Sequence, residues 1–569
     1  MARPHRGAAG LLVSLLLTSV FAAGCGSTIK PADVLSRAVG GTVTVATVGA
    51  RADCWPLRPA SSSPASALVD AAILPSAFTL NSRGVWKLNQ DVFSQVELSS
   101  TDPQVVVYSL NPQAVWSTGR PISSVDLIAN WQAGKKSTLQ TAQGYQAISS
   151  LIPGESAGQV IATFAHPFAD WRVLFANLLP AEVLRAGPRG CTNPVASIDV
   201  SGGPFSLGAS TPSRITLIRN PHWWGTTASL DRVVIRIAPS TAVAASWVSH
   251  NVAQLTTSTP FSTADVLRVA QSNRTSSSIG QTSAMVQLVP NLRTGPMAIL
   301  ELRQAVETAI DRFSLGQAMV GATTVSMGVL SSALTSKLVT NALGQDRAGA
   351  SAMTPPVPPT PEVVAGLSAA GIHLVAGHYV KTGGHPIVLT IGVPLDLPWV
   401  HAFTNELSRQ LQVAGFGVRI RFVPNGVVAS TQLALHQLDG AVLLRTASQA
   451  VSLEAPWFLS AKSGGRVLAN PGGYTNPQVD AAFALASTQL NPVDAAVTYR
   501  SIDAQLSSDV GVIPLNSLAA FQAWRTRLDG VSIYPYGGVT TQDAETWAIL
   551  VPSHAGAKPQ VLNPTMTVG

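Results

Sequence analysis

The sequence predicts an α/β protein, because strand patterns and helix patterns alternate along most of the chain. Residues 42–48 read TVTVATV, and this alternation of threonine and valine is typical of a half-buried strand. Residues 301–312 and 401–414 each carry apolar side chains at helical spacing. The second helix is expected to end at Gly415, and an alternating strand follows at 418–422, so this region predicts half of a βαβ unit.

Further strands are expected where short apolar runs are bounded by turn residues. They lie at 105–110, 214–218, 233–237, 387–393 and 441–444. Residues 353–362, MTPPVPPTPE, predict an extended proline-rich loop. Because strand and helix patterns continue on both sides of this loop, it is interpreted as part of a domain and not as a linker between domains.

Composition favours a large compact protein and argues against nucleic-acid binding. Of the 569 residues, 46% are hydrophobic and 11% are charged, which is typical of a globular chain. The formal net charge is +7, and Lys135–Lys136 is the only pair of adjacent lysines. A clustered basic face, which nucleic-acid binding requires, is therefore not expected.

Residues 1–24 predict a secretory signal. Arg3 and Arg6 supply its basic region, and residues 11–20 form an apolar run that is too short to span a bilayer in comfort. Small residues follow, as at a cleavage site. The mature chain of about 545 residues would be long enough for two or three domains, and we expect it in the periplasmic or cell-envelope space.

Cys25 directly follows the predicted cleavage site, which indicates lipid modification of its side chain. Residues 25–39 would then tether the protein to the outer face of the cell membrane. One residue departs from the bacterial lipoprotein pattern, since Ala22 stands where leucine is usual. The alternative interpretation is an ordinary signal peptide that ends near a cysteine.

Two cysteines remain after Cys25, namely Cys54 and Cys191. An even pair in an oxidising compartment predicts one disulfide between them. Such a bond would close a long loop and contribute roughly 4–5 kcal/mol in the loop-entropy model. The alternative is two buried thiols.

Residues 154–158, GESAG, match the G-x-S-x-G pattern of hydrolases but lack its structural context. A nucleophile elbow needs a helix directly after the serine, whereas QVIATF at 159–164 predicts a strand. Ser156 is therefore expected at the tip of a hairpin. No H-x-x-x-H or C-x-x-C pattern indicates a metal site, and no phosphate-binding loop is found. We expect no catalytic residues, no metal and no cofactor.

An ordered set of landmarks carries the functional information in this chain. They are AVWSTGRPISSVDLIANW at 114–131, ATFAHPFADWRVLFANLLP at 162–180, RNPHWWG at 219–225, ELRQAVETAIDR at 301–312, LDGAVLL at 438–444 and GGYTNPQVD at 472–480. In this order they resemble the family 5 extracellular solute-binding proteins, the dipeptide- and oligopeptide-binding components of ABC importers. The resemblance covers about residues 40 to 540.

A closer resemblance is to the LpqW-type lipoproteins of the mycobacterial envelope. It rests on LPSAF at 74–78, on the stretch at 162–180 and on the proline-rich insertion. This group looks like the family 5 fold redirected to the metabolism of mannosylated phosphatidylinositol. The resemblance therefore implies a glycolipid ligand.

The family resemblance implies a type II periplasmic-binding-protein fold, in which two α/β lobes joined by a hinge close on a ligand and an extra domain sits on lobe I. The implied division is 40–70, 200–285 and 510–569 for lobe I, 71–199 for the extra domain and 286–509 for lobe II. Cys54 and Cys191 would then join lobe I to the extra domain. Trp116 and Asp126 are expected to set a turn and cap a helix, and Asn476 and Pro477 to begin another.

One departure from the family pattern bears on the ligand. Peptide-binding members carry an aspartate after the strand equivalent to 438–444, where it pairs with the peptide's ammonium group. Here RTASQ follows at 445–449, with no acid before Glu454. A buried ammonium needs a partner charge, so Arg445 favours an anion such as a phosphate or a carboxylate. The alternative is that Arg445 faces solvent at the end of the strand.

Four other residues are predicted ligand contacts by resemblance. Arg51 and Trp55 follow the first strand, where family members line the cleft, and Trp399 and Trp457 belong to the second lobe. Tryptophan stacks on sugar faces and packs against acyl chains equally well. The alternative is that these tryptophans belong to the core.

The sequence thus predicts an exported, lipid-anchored, monomeric binding protein that is not an enzyme. Its expected ligand is an anionic amphiphilic envelope molecule such as a phosphatidylinositol mannoside. One alternative is the peptide-binding receptor of an ABC importer, with an ABC permease as partner. Another is a regulatory or scaffold lipoprotein of lipoglycan biosynthesis, which would contact a membrane glycosyltransferase.

Overall fold

The computed structural model describes residues 35–49, 63–81, 85–137, 139, 141–187, 200–258, 261–320, 328–330, 332–334, 357–397, 399–448, 450–461, 469–532 and 541–552. Arg37–Leu550 forms one compact unit, and the terminal segments Met1–Ser36 and Val551–Gly569 form another. Of the terminal unit, Leu35, Ser36, Val551 and Pro552 are the described residues.

The regular elements alternate between strand and helix. The strands are β1 Leu35–Arg37, β2 Thr42–Val48, β3 Phe78–Leu80, β4 Trp86–Leu88, β5 Phe93–Thr101, β6 Gln104–Leu110, β7 Ile148–Pro153, β8 Gln159–Phe164, β9 Phe205–Thr211, β10 Arg214–Arg219, β11 Arg232–Ala238, β12 Leu255–Ser258, β13 Thr275–Pro290, β14 Gly328–Val329, β15 Ile372–Val375, β16 His378–Lys381, β17 Val388–Pro394, β18 Gly417–Val423, β19 Gly440–Thr446, β20 Ile513–Arg525, β21 Leu528–Asp529 and β22 Ala548–Pro552. The helices are α1 Pro64–Ile73, α2 Ser124–Gly134, α3 Ala142–Ala147, α4 Ala181–Ala186, α5 Thr241–Ser249, α6 Thr263–Ala270, α7 Leu300–Thr308, α8 Arg312–Val320, α9 Pro361–Ala369, α10 Val400–Val413, α11 Gly426–Ala434, α12 Pro477–Thr488 and α13 Pro492–Ser508.

A central mixed sheet organises the compact unit. Its strand order is β18-β17-β19-β13-β20-β12-β2-β11-β10-β9, and β14 pairs with β20 beside this path. On one side β2 runs parallel to β11 and to β12, and on the other β17 runs parallel to β18 and to β19. The antiparallel pair β13 and β20 lies between these two α/β halves. The predicted α/β class is therefore confirmed.

The two central strands change register where they pass from one half of the sheet to the other. Pairing of β13 with β20 shifts between Gln281 and Met285. At this point the Thr282 hydroxyl donates to Leu518 O at 2.9 Å and accepts from the Ala284 N–H at 3.0 Å. Because a bulge bends a strand and increases its local twist, this shift lets the two halves adopt different orientations on the same pair of strands.

The local patterns account for most individual elements. The predicted strand at 42–48 is confirmed as β2, in which Val43 and Val45 are fully buried. The helix predicted at 401–414 is confirmed as α10, with Leu407 and Leu411 in the core. Gly415 follows it with φ +100°, and a Cβ there would lie 2.6 Å from Gly377 O, so both the backbone angle and the close approach require glycine.

The helix predicted over 301–312 is wrong beyond residue 308. Helix α7 ends at Thr308, and α8 begins at Arg312. Asp311 causes the break, since its carboxylate accepts from the Phe313 N–H at 3.0 Å and from the Ser314 N–H at 3.3 Å. This is the hydrogen-bonding pattern of a helix cap, and it competes with continuation of the preceding helix.

A separate four-stranded antiparallel sheet, ordered β5-β6-β8-β7, lies between β2 and β9 in the chain. Strands β7 and β8 form the predicted hairpin around residues 154–158, which places Ser156 in an exposed turn between two strands. The strand–turn–strand prediction is confirmed. This geometry differs from a nucleophile elbow, which requires a strand followed by a helix.

The predicted caps are also found. Asp126 stands at the third position of α2 and accepts the Ser123 N–H at 3.0 Å, which completes a capping box. Asn476 accepts from the Gln478 N–H at 2.9 Å and begins α12, whose first residue is Pro477.

Large buried apolar clusters hold these layers together in the described part of the chain. They include Phe403 with Phe521, Tyr108 with Trp116, Phe205 with Trp547, and Phe458 with Phe483. The second pair belongs to the core of the four-stranded sheet, and the fourth to the helices that follow β19. The predicted lobe boundaries in sequence stay predictions.

Candidate ligand-binding site

Arg445, at the end of β19, lies in a buried polar cluster. Its side chain is 2% exposed and forms an ion pair with Glu454, whose side chain is 1% exposed. The guanidinium also donates from Nε to Gln287 Oε1 at 3.2 Å, and from Nη2 to the carbonyls of Ala333 at 2.8 Å and Leu334 at 3.0 Å. The charge and most of the N–H groups of Arg445 are therefore already partnered within the protein.

The Glu454 carboxylate also has its partners within the protein. Its carboxylate accepts from Arg445 and from the backbone N–H of Ser448. Burial raises the pKa of Glu454, and the charge of Arg445 and the Ser448 N–H act in the opposite direction. The rings of Trp457 and Phe458 lie 5.8 Å and 5.5 Å from the Arg445 guanidinium carbon, so aromatic side chains enclose the ion pair.

A 3₁₀ turn at Val451–Trp457, here called the bridging turn, carries Glu454 and contacts two different cores. Ala450, just before it, and Leu453 pack into the core of the four-stranded sheet. Val451 and Ala455 pack into the core behind β19. The bridging turn therefore lies where the four-stranded domain meets the second half of the central sheet.

Asp170 contributes the polar contact across this boundary. Its carboxylate accepts from the Ser452 N–H of the bridging turn at 3.0 Å. Beside it, the Ala169 N–H donates to Ser487 O at 2.8 Å. Burial raises the pKa of Asp170, while its interactions with Ser452 and the charge of Arg172 act in the opposite direction.

Tyr499, on α13, also belongs to this cluster. Its side chain is buried, and burial raises the pKa of its phenol, with the charge of Asp170 as the next cause. Tyr499 therefore stays neutral and presents an aromatic ring with one polar atom beside the bridging turn.

The structure brings together two of the five predicted ligand contacts. Arg445 and Trp457 lie in the same cluster. Trp399 belongs to another core, where it stands before α10 with its ring 5.2 Å from that of Phe403, and it is 6% exposed. The remaining predicted site residues, Arg51, Trp55, Cys25, Cys54 and Cys191, lie outside the described residues.

Sequence reasoning missed several members of the cluster. Glu454 is the first acid after the strand and lies nine residues beyond Arg445, so its proximity in the chain is the one local sign of this pair. Gln287 lies 158 residues from Arg445, and Asp170 lies 282 residues from Ser452. No local pattern in the sequence connects residues so far apart.

The Asp170→Asn substitution is expected to alter the pH dependence of stability. Burial raises the pKa of Asp170, so the folded protein keeps a proton that the unfolded chain releases above about pH 4. The free energy of unfolding of the parent protein then falls as pH rises above about 4, by at most about 1.4 kcal/mol per pH unit for one proton, until the pH passes the raised pKa of the folded state. The asparagine variant lacks this contribution.

Urea unfolding at several pH values measures the difference between the two proteins. The exposed Asp396→Asn variant serves as the control, because its carboxylate lies on the loop after β17. A parent and an Asp170→Asn variant with parallel stability profiles would contradict the prediction.

Two other features are absent from the described residues. No helix there is long and apolar enough to cross a membrane. No group of three or more histidine, cysteine, aspartate or glutamate side chains is arranged to hold a metal ion in the same ranges.

The family of this protein follows from its sequence match. The model of the bacterial extracellular solute-binding proteins, family 5, matches residues 90–465, about two thirds of the chain. The chain therefore belongs to this family, whose members are extracellular or periplasmic binding proteins. Its two α/β halves, joined through β13 and β20 and accompanied by a four-stranded domain, have the type II periplasmic-binding-protein fold.

Two curated relatives carry more particular names. The oligopeptide-binding protein OppA of Mycobacterium tuberculosis is 31% identical over 258 residues, which cover 43% of each chain. The protein named "Probable monoacyl phosphatidylinositol tetramannoside-binding protein LpqW", from the same organism, is 28% identical over 243 residues, which cover 41% of this chain and 35% of LpqW. The matches thus span less than half the length of either relative.

Solved structures resemble the chain over a greater length. The periplasmic EDTA-binding protein EppA superposes with a TM-score of 0.77 at 21% identity, covering 92% of this chain and 99% of EppA. The oligopeptide-binding protein AppA from Bacillus subtilis, in complex with a nonapeptide, gives a TM-score of 0.68 at 15% identity, covering 90% of this chain and all of AppA. At these identities the likeness establishes the fold.

Proposed function

We propose that this protein is exported, anchored through a lipid on Cys25, and captures an anionic amphiphilic envelope molecule such as a phosphatidylinositol mannoside between its two lobes. The ligand is proposed to contact the cluster around Arg445, Glu454 and Trp457. With lobes bounded as the sequence predicts, this cluster belongs to lobe II and faces the extra domain. The protein acts by binding and release, without a catalytic step.

The observation that carries this proposal is that both carboxylates near the bridging turn already have hydrogen-bond or ion-pair partners. Glu454 is paired with Arg445 and with the Ser448 N–H, and Asp170 accepts from the Ser452 N–H. A peptide ligand brings an ammonium group that needs a carboxylate partner when it is buried. Both carboxylates already have partners, which favours a ligand without an ammonium group.

Aromatic side chains at the same place support an amphiphilic ligand. Trp457 is half-buried and Tyr499 is buried beside the bridging turn. Such rings pack equally well against sugar faces and acyl chains, while the tryptophan N–H and the tyrosine hydroxyl can bond to polar groups. The relative named as a phosphatidylinositol tetramannoside-binding protein supports the glycolipid class.

In this proposal Arg445 is not a free anion-binding group, although its position after the strand predicts one. Its guanidinium is bound to Glu454, so a phosphate contacts it only by sharing or displacing that carboxylate. Bidentate guanidinium–phosphate contacts are favourable, and burial raises the pKa of Glu454, which lowers the cost of giving up its charge. The proposed preference for an anion therefore requires that the ligand's phosphate replace the Glu454 carboxylate at Arg445 or share Arg445 with it.

Native mass spectrometry of the chain from Gly26 onward, produced in a mycobacterial host, tests the proposal. We expect an added mass that matches a mannosylated phospholipid. In titrations with phosphatidylinositol dimannoside, Trp457→Ala is expected to weaken binding by about three- to tenfold, because a ring contact is lost. Trp247→Ala, whose ring packs on Arg236 of β11 at 4.4 Å, is the matched control and should bind normally.

Two outcomes would overturn the glycolipid assignment. One is a protein that carries no lipid and does not bind added lipid, which would favour the regulatory or scaffold alternative with a membrane glycosyltransferase as partner. The other is tight binding of a nonapeptide with no affinity for the glycolipid. Circular dichroism and thermal melting of each variant separate a loss of binding from a loss of folding.

A peptide receptor is the second candidate function, and the 31% identity to OppA favours it. In this case the expected partner is an ABC permease, and the ligand's ammonium group would take Glu454 or Asp170 from its present partner. Glu454→Gln would then reduce peptide affinity strongly. The same substitution should not weaken binding of a glycolipid, because the ligand's phosphate no longer competes with a charged carboxylate for Arg445.

A further inference from the structure

A cavity of about 650 Å³ lies between α1, the β3–β4 hairpin and a 3₁₀ turn at Thr541–Thr546. Its volume falls within the range of about 300–1,000 Å³ that is usual for small-molecule sites. It shares no lining residue with the cluster around Arg445. This cavity is therefore separate from the proposed ligand site.

Aromatic rings form part of the cavity wall. Phe78, Trp86 and Trp223 line it. Trp223 is held in place, since its Nε1 donates to Thr226 O at 3.1 Å and its ring lies 4.5 Å from that of Trp224. An aromatic face attracts a cation through the quadrupole of the ring, most strongly when the site is shielded from water.

Carboxylates form another part of the wall. Asp91, Asp543 and Glu545 all line the cavity. Burial raises the pKa of Asp543, while its interactions with Ser532 and Trp547 act in the opposite direction. Oε2 of Glu545 is closed off from solvent and has no hydrogen-bond partner. Because this oxygen is shut off from water, the carboxylates would act on an occupant of the cavity through their charge rather than through a direct hydrogen bond to this atom.

The charge of this wall is not balanced within the described residues. Lys87 is the one basic residue among the lining residues that the structure describes, against three carboxylates. Burial raises the pKa of Glu545 to about 7, with the charges of Asp543 and Asp91 as further causes. A positively charged occupant would relieve both the burial cost and the repulsion between the carboxylates.

The nature of that occupant follows from the arrangement of ligating groups. The described residues hold no set of three side chains placed to coordinate a metal ion. The cavity is also several times larger than a single ion, and its aromatic rings suit a cation with apolar substituents. Both points favour an organic cation over a metal.

We propose that the cavity lined by Trp86, Trp223, Asp543 and Glu545 binds a small organic cation, such as an alkylated ammonium compound. The aromatic faces contact the apolar substituents, and the carboxylates balance the charge. This inference goes beyond the proposed function and does not depend on it, because the two sites share no residue.

Calorimetric titration of the chain from Gly26 onward with choline tests this proposal. We expect measurable binding of choline and at least about fivefold weaker binding of 3,3-dimethyl-1-butanol, its neutral isostere, because the cation–π and charge contributions are lost. Glu545→Gln and Trp223→Leu should each weaken choline binding by about fivefold. Glu97→Gln, an exposed carboxylate on β5, is the matched control and should leave the affinity unchanged.

The proposal is overturned if choline and its neutral isostere bind equally, or if choline does not bind at millimolar concentration. It is also overturned if Glu97→Gln weakens binding as much as Glu545→Gln, since the effect would then reflect net charge. Competition with sodium chloride and with tetramethylammonium in the parent protein provides a second measurement that needs no variant. Selective displacement by tetramethylammonium supports the organic-cation site, and equal displacement by both salts contradicts it.

Discussion

Replacing Arg445 by methionine is expected to lower the free energy of unfolding by about 3–5 kcal/mol. The substitution leaves Glu454 buried without its counter-charge, and it removes the donors to the carbonyls of Ala333 and Leu334. Removing one partner of a buried ion pair is strongly destabilising, because the remaining charge has lost its solvation and gained nothing in return. Equilibrium unfolding in urea measures the effect.

Two further variants test whether the loss of stability in Arg445→Met comes from the unpaired charge of Glu454. The Arg445→Met/Glu454→Leu double variant should recover most of the stability, since an apolar pair of similar volume replaces the ion pair. Arg409→Met breaks a pair with Glu406 in which Arg409 is 60% exposed, and it should cost at most about 1 kcal/mol. A single Arg445 variant as stable as the Arg409 variant would show that Arg445 is not held in this pair.

Replacing Asp126 by alanine should lower the free energy of unfolding by about 3 kcal/mol. This fully buried carboxylate accepts from Trp116 Nε1 at 3.3 Å, from Arg120 Nη2 at 2.9 Å, and from the backbone N–H groups of Ser123 at 3.0 Å and Ala181 at 2.9 Å. Alanine leaves the Trp116, Ser123 and Ala181 N–H groups without this acceptor, while Arg120 keeps its ion pair with Glu182 at 2.9 Å. The core of the four-stranded domain contains Trp116, so we expect this domain to unfold at a lower urea concentration in the variant.

The control for this prediction is Asp494→Ala. Asp494 also lies in the first turn of a helix, α13, but it is exposed, so its loss should cost only about 0.3–1 kcal/mol through the helix dipole. Near-ultraviolet circular dichroism follows the loss of packing around the aromatic side chains, Trp116 among them, during unfolding. Equal losses for Asp126→Ala and Asp494→Ala would contradict a role for the buried network.

The sequence predicted the elements whose signals are local. The alternation in β2, the apolar spacing of α10 and the cap at Asn476 each depend on a few neighbouring residues, and each is found where the pattern indicates. The break at Asp311 was also encoded locally. It was missed because the apolar spacing continues through Ile310 and masks the capping side chain.

The candidate site shows the opposite case. Arg445 was singled out from its place after a strand, and its charge predicted a contact with an anion. The structure adds that Gln287 and Glu454 already hold its guanidinium, and that Asp170 holds the bridging turn. These contacts join parts of the chain up to 282 residues apart, and their energies depend on burial.

The sequence by itself therefore determined the α/β class, most strands and helices, the helix caps and the order of motifs that marks family 5. Each of these follows from side-chain periodicity or from hydrogen bonds within a few residues. Only the tertiary structure decided which charges neutralise one another and which carboxylates gather at one cavity. Those outcomes depend on solvent exclusion between distant segments, because the strength of an ion pair and the cost of an unpaired charge are set by burial.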